Sequence, residues 1–342
     1  MIYFICTILK VKEELLMNHL LQSLYGLTPL ETEHSSVGAG SDTYFVRCRE
    51  GKVVVKFPAG SEINHPEQEP ALCEYLNSAG IPACRFLKNR EGSYVSRDGR
   101  GRIFLVQEFI EGRGFGLNEA PDWLMTSSAD MLGRIHAALK DYHGLPTGIG
   151  TDFFRFMTPE HALASYEQSL HNALRRGDTD IAREIEYRIR LARHEPAWSP
   201  DMTRLTCQST HGDYFISQLI CGGSCIRAVI DWTTACVHPV VWELFRSFAY
   251  AAPSCRDGNV SLDELSRYTA AYLHHAPLTA YDLQCMAPLF RYQLLVCDYY
   301  GQHDASTAAN RDIYLHQARF STQLLRWLDG HGDEIAPRLS AG

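Results

Sequence analysis

The chain has 342 residues, 45% of them hydrophobic and 21% charged, with 32 Lys and Arg against 40 Asp and Glu for a formal net charge of −8. That length allows about two domains, and the composition suits a globular fold able to bury a sizeable core. The acidic balance disfavours a generic nucleic-acid binder, which normally presents a basic face.

Eleven cysteines run from Cys6 to Cys297 without regular spacing. They read as reduced, mostly buried thiols of a cytoplasmic protein, not as a disulfide framework. The start, MIYFICTIL, is apolar. It has no basic n-region or small-residue cleavage site, and it is too short to span a membrane. It reads as a β-like lead-in, with Met17 as a second candidate start. No other apolar run reaches the length of a transmembrane helix.

Residues 12–26 carry Leu15, Leu16, Leu20, Leu21 and Leu24 at helical spacing and end at Gly26, which predicts a helix with a glycine C-cap. Two alternating runs, Tyr44–Arg47 and Lys52–Phe57, flank REG and predict a hairpin. Segment 67–79 predicts a helix ending at Gly80, with Pro82 just beyond. A second strand pair follows in GSYVSRDGRGRIFLVQEFI. After EGRGFG the pattern turns helical, over 127–140 and then over the long charged stretch 159–195. Residues 205–233 are β-like, with strands at 218–221 and 225–231 around the turn GGS. From 239 onward the chain reads as helices broken at Pro253, Pro277 and Pro288. The order is a small β-rich lobe with one inserted helix, a glycine-containing connector, and a larger, mainly helical lobe.

Several residues stand where chemistry would need them. Lys56 lies in the apolar strand KVVVKFP, where a lysine can meet phosphate oxygens as a point charge; an edge-strand lysine would read the same way. Helix 67–79 offers Glu69 and Glu74 as ion-pair partners for it. The turn VGAGSDTY, with Gly38 and Ser41, has the backbone character of a phosphate cradle, although turns of this kind are common. The sharpest signal is HGDYFISQLICGGSCIRAVIDW. Asp213, Gln218 and Asp231 bracket one hairpin, and a carboxylate closing an apolar strand is costly without a task. Two carboxylates and an amide in this order suit phosphoryl transfer: one deprotonates an acceptor hydroxyl, and the other, with the amide, holds Mg²⁺ on the nucleotide phosphates.

HGDYFISQ followed by VIDW resembles the aminoglycoside phosphotransferase/choline kinase family. EPALCEYLNSAGIP, VVVKF, FLVQEFIEG, MLGRIHAAL and HPVVWELFRSF extend the resemblance over most of the chain. It implies an α+β, two-lobed, protein-kinase-like fold. Residues 1–26 would be a lead-in and helix, 27–112 a nucleotide-binding N-lobe, and 113–342 a C-lobe with the catalytic loop, metal site and acceptor-binding helices. By this resemblance Asp213 is the catalytic base and Asp231 the principal Mg²⁺ ligand, with Gln218 as the second. Lys56 contacts the α- and β-phosphates and pairs with Glu69. Glu108 and Ile110 offer backbone hydrogen bonds to the purine of ATP or GTP, and His211 braces the loop. The family has Asn where Gln218 stands and usually Asp where Glu243 stands. The first departure lengthens a metal-contacting side chain by one methylene; the second alters the bracing of the loop.

The expected activity moves the γ-phosphate of ATP or GTP to a hydroxyl of a small molecule, an aminoglycoside-like compound, an amino alcohol or a sugar, with no nucleic-acid or membrane partner. Asp257, Asp263, Glu264, Asp298 and Asp304 are candidate contacts for an amine-bearing acceptor. A kinase of Ser/Thr hydroxyls on a peptide is the alternative within the same chemistry. A nucleotide-binding scaffold of weak activity is the alternative outside it, and Gln218 is the feature that favours it. CGGSC with Cys236 and His238 also has the elements of a zinc site, in a segment the phosphotransferase reading already explains.

Overall fold

The computed structural model describes residues 15–35, 41–60, 64–307 and 310–341. The chain separates into two units, one formed by Met1–Glu111 with Ala228–Thr233 and the other by Gly112–Arg227 with Thr234–Gly342. The fold class is mixed α+β, with an antiparallel sheet in the first unit and mainly helices in the second.

The first unit opens with helix α1 (15–25), whose last turn widens to a π-turn and closes on Gly26 at φ 72. A five-stranded antiparallel sheet follows in the order β1-β2-β3-β5-β4: β1 (Pro29–His34), β2 (Asp42–Cys48), β3 (Lys52–Phe57), β4 (Ser96–Arg97) and β5 (Ile103–Glu108). Helix α2 (Gln68–Ser78) lies between β3 and β4 in sequence. The valine-rich strand β3 alternates its side chains between two environments. Val53, Val55 and Phe57 pack with Tyr44, Val46, Phe104 and Val106 against Met17, Leu20 and Leu21 of α1. The opposite set, Lys52, Val54 and Lys56, therefore lies on the other face of the sheet. The sequence pattern missed β1. Its burial alternates poorly, with Glu31 and Glu33 paired beside Arg47 and Phe45 at the sheet's edge, and charged edge strands lack the apolar alternation that marks a strand.

In the second unit, helix α3 (Asp122–Leu139) starts five residues before the predicted position 127, with Pro121 as its extended N-cap. Helix α4 (Thr151–Phe156) precedes the charged stretch, which forms α5 (Pro159–Arg176) and α6 (Thr179–His194), separated at the left-handed Gly177. Strand β6 (Cys207–Thr210) pairs with β9 (Cys236–Pro239), and between them β7 (Leu219–Gly222) pairs with β8 (Cys225–Val229). Strand β8 is shorter than predicted, so Asp231 lies two residues beyond its end. Helix α7 (Val240–Ala251) is buried along its whole length. Helices α8 (Leu262–Leu273), α9 (Ala280–Val296), α10 (Tyr299–Ala305), α11 (Arg311–His331) and α12 (Ile335–Ser340) complete the unit. Pro288 breaks nothing: it lies inside α9, where most side chains are buried, and packing outweighs the roughly 3 kcal/mol a proline costs a helix interior. Among the described residues no helix is long and apolar enough to cross a membrane.

Candidate active site

Within the first unit, Lys56 is the hub. Its Nζ lies 3.5 Å from Glu69 Oε2 and 3.2 Å from Asp231 Oδ1. The Lys56 and Glu69 side chains are 13% and 7% exposed, whereas that of Asp231 is 43% exposed. Glu69, on the first turn of α2, also accepts the Trp232 backbone N–H at 3.1 Å, so one carboxylate orients both the lysine and the segment that carries Asp231. Trp232 is fully buried, and its indole N–H donates to the Val229 carbonyl at 2.9 Å. Asp231 adopts φ 64, a left-handed conformation that Asp tolerates better than most residues. Thr233 Oγ1 donates to the Asp231 Oδ1 that faces Lys56. Asp231 thus offers a partly open, hard oxygen donor, and this fits Mg²⁺, which is bound by one or two carboxylates together with phosphates and water.

Two more expected contacts lie on β5 and just beyond it. The Phe109 N–H donates to the Lys52 carbonyl at 3.1 Å, and the Glu108 N–H donates to the Arg85 carbonyl at 2.8 Å. Antiparallel alternation turns the main-chain groups of Glu108 away from β3, and Ile110 lies two residues beyond the end of β5. Ser41 is half-buried at the start of β2. Gly38 lies outside the described residues.

The second unit holds Asp213 on a loop braced from beneath. Gly212 has φ 80, and a Cβ there would collide with the Thr234 carbonyl, so the triplet preceding the strand needs glycine. Asp213 Oδ1 is 2.6 Å from Arg246 Nη2, and its Oδ2 accepts from Gln218 Nε2 at 3.3 Å. The Asp213 N–H donates to His211 Nδ1 at 3.3 Å. Gln218 ends a 3₁₀ turn before β7 and is 9% exposed. Its amide nitrogen faces Asp213, so in this arrangement Gln218 steadies the aspartate.

Glu243 is the brace. It is fully buried on α7, with Oε2 2.8 Å from His136 Nε2 and accepting the His211 N–H at 3.3 Å, while Oε1 accepts the Tyr214 N–H at 3.5 Å. One carboxylate therefore grips the loop on both sides of Asp213. Burial pushes the Glu243 carboxyl up, but the hydrogen bond and charge of His136, with His211 and His238 nearby, outweigh it and hold the pKa down at about 2. An ionised carboxylate only accepts, so His136 Nε2 donates to Glu243, and its Nδ1 lies 2.8 Å from Tyr272 Oη. His238 is a separate buried imidazole. Desolvation drives its pKa down to about 4, and its Nδ1 accepts the Ile149 N–H at 2.8 Å.

Sequence reasoning missed Arg246 and His136. Arg246 did leave a signal: it is a permanent charge three residues after Glu243 in WELFRSF, on a helix otherwise apolar enough to be buried throughout. Burial works against its charge, and Asp213 together with Tyr250, Tyr299 and Glu243 more than offsets this, so its pKa rises. The acidic residues expected to face an amine are largely engaged within the fold. Asp304 is 2.9 Å from Arg176, and Asp298 caps α10 and accepts from Ser165. Asp263 pairs with Arg338, and Glu264 accepts from Ser254 at 2.5 Å. The zinc reading has no support either. Among the described residues no three His, Cys, Asp or Glu side chains assemble a metal cluster, and Cys225 is exposed while Cys221 is buried.

The sequence matches the phosphotransferase enzyme family, APH, over residues 33–288, well over half of the chain. The chain belongs to that family. It is 23% identical over 184 residues to a homoserine kinase of Zymomonas mobilis, an alignment covering 53% of this chain and 52% of that protein, so the chain spans about half the length of this curated relative. Among solved structures, a spectinomycin phosphotransferase in complex with ADP and spectinomycin has a TM-score of 0.61 at 12% identity, covering 93% of this chain and 98% of that one. An amicoumacin kinase in complex with AMP-PNP and Ca²⁺ has a TM-score of 0.61 at 13% identity, covering 91% of this chain and 92% of that one. At these identities the likeness is one of fold, and it agrees with the protein-kinase-like architecture expected from the motifs.

Proposed function

We propose that this phosphotransferase moves the γ-phosphate of ATP or GTP to a hydroxyl of a small molecule, with Mg²⁺. The observation that carries this reading is the ion-pair hub of Lys56, Glu69 and Asp231 in a chain that also holds Asp213 on a braced loop. Lys56, oriented by Glu69, binds the α- and β-phosphates. Asp231 holds Mg²⁺, which when bound neutralises charge on the phosphate oxygens. The carbonyl of Glu108 and the N–H of Ile110 meet the purine edge, and the turn with Gly38 and Ser41 covers the phosphates. In this reading residues 27–112 bind nucleotide and residues 113–342 supply the catalytic loop and the acceptor contacts.

Asp213 orients the acceptor hydroxyl and takes its proton. The hydroxyl oxygen bonds to the γ-phosphorus as the bond from that phosphorus to the β-bridging oxygen breaks, and the nucleoside diphosphate leaves. Arg246 and Gln218 hold the carboxylate of Asp213 in place, and Glu243 fixes the loop through two backbone N–H groups. The names of the similar proteins, a homoserine kinase, a spectinomycin phosphotransferase and an amicoumacin kinase, favour a small-molecule acceptor over a peptide. A nucleotide-binding scaffold is the second reading, supported by Gln218 standing where the family has Asn, with its amide nitrogen turned to Asp213.

The experiment is phosphate transfer from Mg·ATP and Mg·GTP by wild type and Asp213→Asn, across aminoglycosides, amino alcohols, hydroxy acids and sugars. Acceptor-stimulated transfer that disappears in the mutant supports the kinase. Nucleotide binding with no transfer above the mutant to any acceptor selects the scaffold.

A further inference from the structure

Arg246 uses only part of its guanidinium on Asp213. Nη2 makes the 2.6 Å ion pair, while Nη1 is buried and has no hydrogen-bond partner. Among the described residues Asp213 is the carboxylate paired with it. The surroundings are aromatic: the guanidinium carbon lies 4.9 Å from the Phe215 ring centre, 4.7 Å from that of Tyr250 and 5.7 Å from that of Trp242. Two of these rings end in polar atoms that are also buried and unpaired, Tyr250 Oη and Trp242 Nε1.

Each buried polar group left unmet costs about 1–3 kcal/mol, and more if charged. One on the guanidinium itself and two on the rings around it, next to the candidate base, are a concentrated cost. Arg246 Nη1 and Trp242 Nε1 can only donate, and the Tyr250 hydroxyl can donate as well. Oxygen lone pairs satisfy such a set; an ammonium group does not. Four of the five acidic residues named for an amine are meanwhile engaged with Arg176, Arg338, Ser254 and the start of α10, and the fifth, Asp257, is exposed.

We propose that Arg246 and Tyr250 form an oxyanion subsite beside Asp213 that binds a carboxylate of the acceptor, making the substrate a short hydroxy acid and not a polycationic aminosugar. This rests on the phosphotransferase reading above. The hydroxyl lies at Asp213 and the carboxylate at the free end of the same guanidinium, so a few carbons separate the two groups. Arginine suits the task because its planar fork serves two carboxylates at once.

Binding decides this inference, and turnover separately decides the kinase reading. Calorimetry on Mg·ADP-loaded protein would compare L-homoserine and 4-hydroxybutyrate with their carboxamides, alongside glycerol 3-phosphate and spectinomycin. The acids are expected to bind at least about tenfold more tightly than the amides, the scale of a charge-assisted hydrogen bond. Arg246→Gln should abolish that preference with nucleotide affinity unchanged. Tyr250→Phe keeps the ring, should fold normally, and should weaken acid binding several-fold with little change in the amide. Equal binding of acid and amide overturns the proposal, as does no binding by either acid or tighter binding of glycerol 3-phosphate or spectinomycin. A loss of nucleotide affinity in Arg246→Gln with the acid preference intact would assign the guanidinium to the nucleotide phosphates and also overturn it. If the acids bind selectively but no phosphate is transferred, the subsite stands and the kinase reading falls.

Discussion

In the first unit three charged side chains hold one another, Lys56 between Glu69 and Asp231, and the aspartate at the end of the set is nearly half exposed. In the second unit Asp213 is held differently. Its charge is met by Arg246, and the loop beneath it is pinned through backbone N–H groups by the fully buried Glu243. The first arrangement leaves a carboxylate nearly half exposed, which suits exchange of a metal–nucleotide complex. The second fixes one carboxylate in one place, which suits a group that must meet a hydroxyl in a defined direction. The difference predicts that damage to the first unit's carboxylate appears in binding, and damage to the second's appears in rate or in stability.

The largest effect expected is on rate. Asp213→Asn should lower transfer by about 10²–10⁴-fold while nucleotide affinity, read by calorimetry, stays close to wild type. A matched fall in affinity would erase the contrast between the units. Asp231→Ala should do the reverse in kind, with nucleotide binding losing its dependence on Mg²⁺ across a magnesium titration. If the magnesium dependence survives, the metal is held elsewhere.

Stability should follow the second unit's brace. Glu243→Ala removes one partner of a buried ion pair and leaves His136 and two backbone N–H groups unmet, a loss of about 3–5 kcal/mol in urea unfolding. Because the folded pKa of Glu243 is depressed to about 2 from an ordinary 4.5, its contribution is complete above about pH 4.5 and is lost as pH falls through about 2. His238 adds a separate window. Its folded pKa of about 4, against 6.5 when exposed, means the unfolded chain binds a proton that the folded chain refuses. Stability should therefore fall as pH drops from about 6.5 to about 4 and then level off. His238→Asn, which cannot titrate, should flatten the curve in that window and leave the drop below pH 4.5 intact.

The parts of this machinery that the sequence made legible share one property: the residue and its reason stand close together. Lys56 sits inside KVVVKF, the glycine before Asp213 is its neighbour, and Asp231 follows an apolar strand. The helical stretches showed the same locality, and even the break at Gly177 within 159–195 is a local conformational event. What could not be read depends on distant partners. His136 reaches Glu243 across 107 residues and Arg246 reaches Asp213 across 33, and nothing in the local pattern of either segment encodes the meeting. Strand β1 is of this kind too, since its pairing with β2 makes it a strand. Asp231 is the intermediate case. Its place after β8 was readable, but its left-handed backbone was not, because the conformation is held by the Glu69 bond to the next residue's N–H.

Gln218 gives the smallest and most discriminating perturbation. Shortening it to Asn withdraws the amide from Asp213, where the present contact is already long at 3.3 Å. If the amide only steadies the aspartate, the loss is that of one weak hydrogen bond, about 1 kcal/mol or roughly fivefold in rate, with the magnesium requirement unchanged. If the amide belongs on the metal, Gln218→Asn should instead raise transfer and lower the magnesium concentration needed for half-maximal rate. The geometry favours the first outcome, because the nitrogen faces a carboxylate and the side chain is nine-tenths buried. A magnesium titration of both proteins at saturating nucleotide separates the two. The second outcome would mean that the contrast between an open metal-binding unit and a closed base-holding unit is too sharp, and that the loop carrying Asp213 shares in holding the ion.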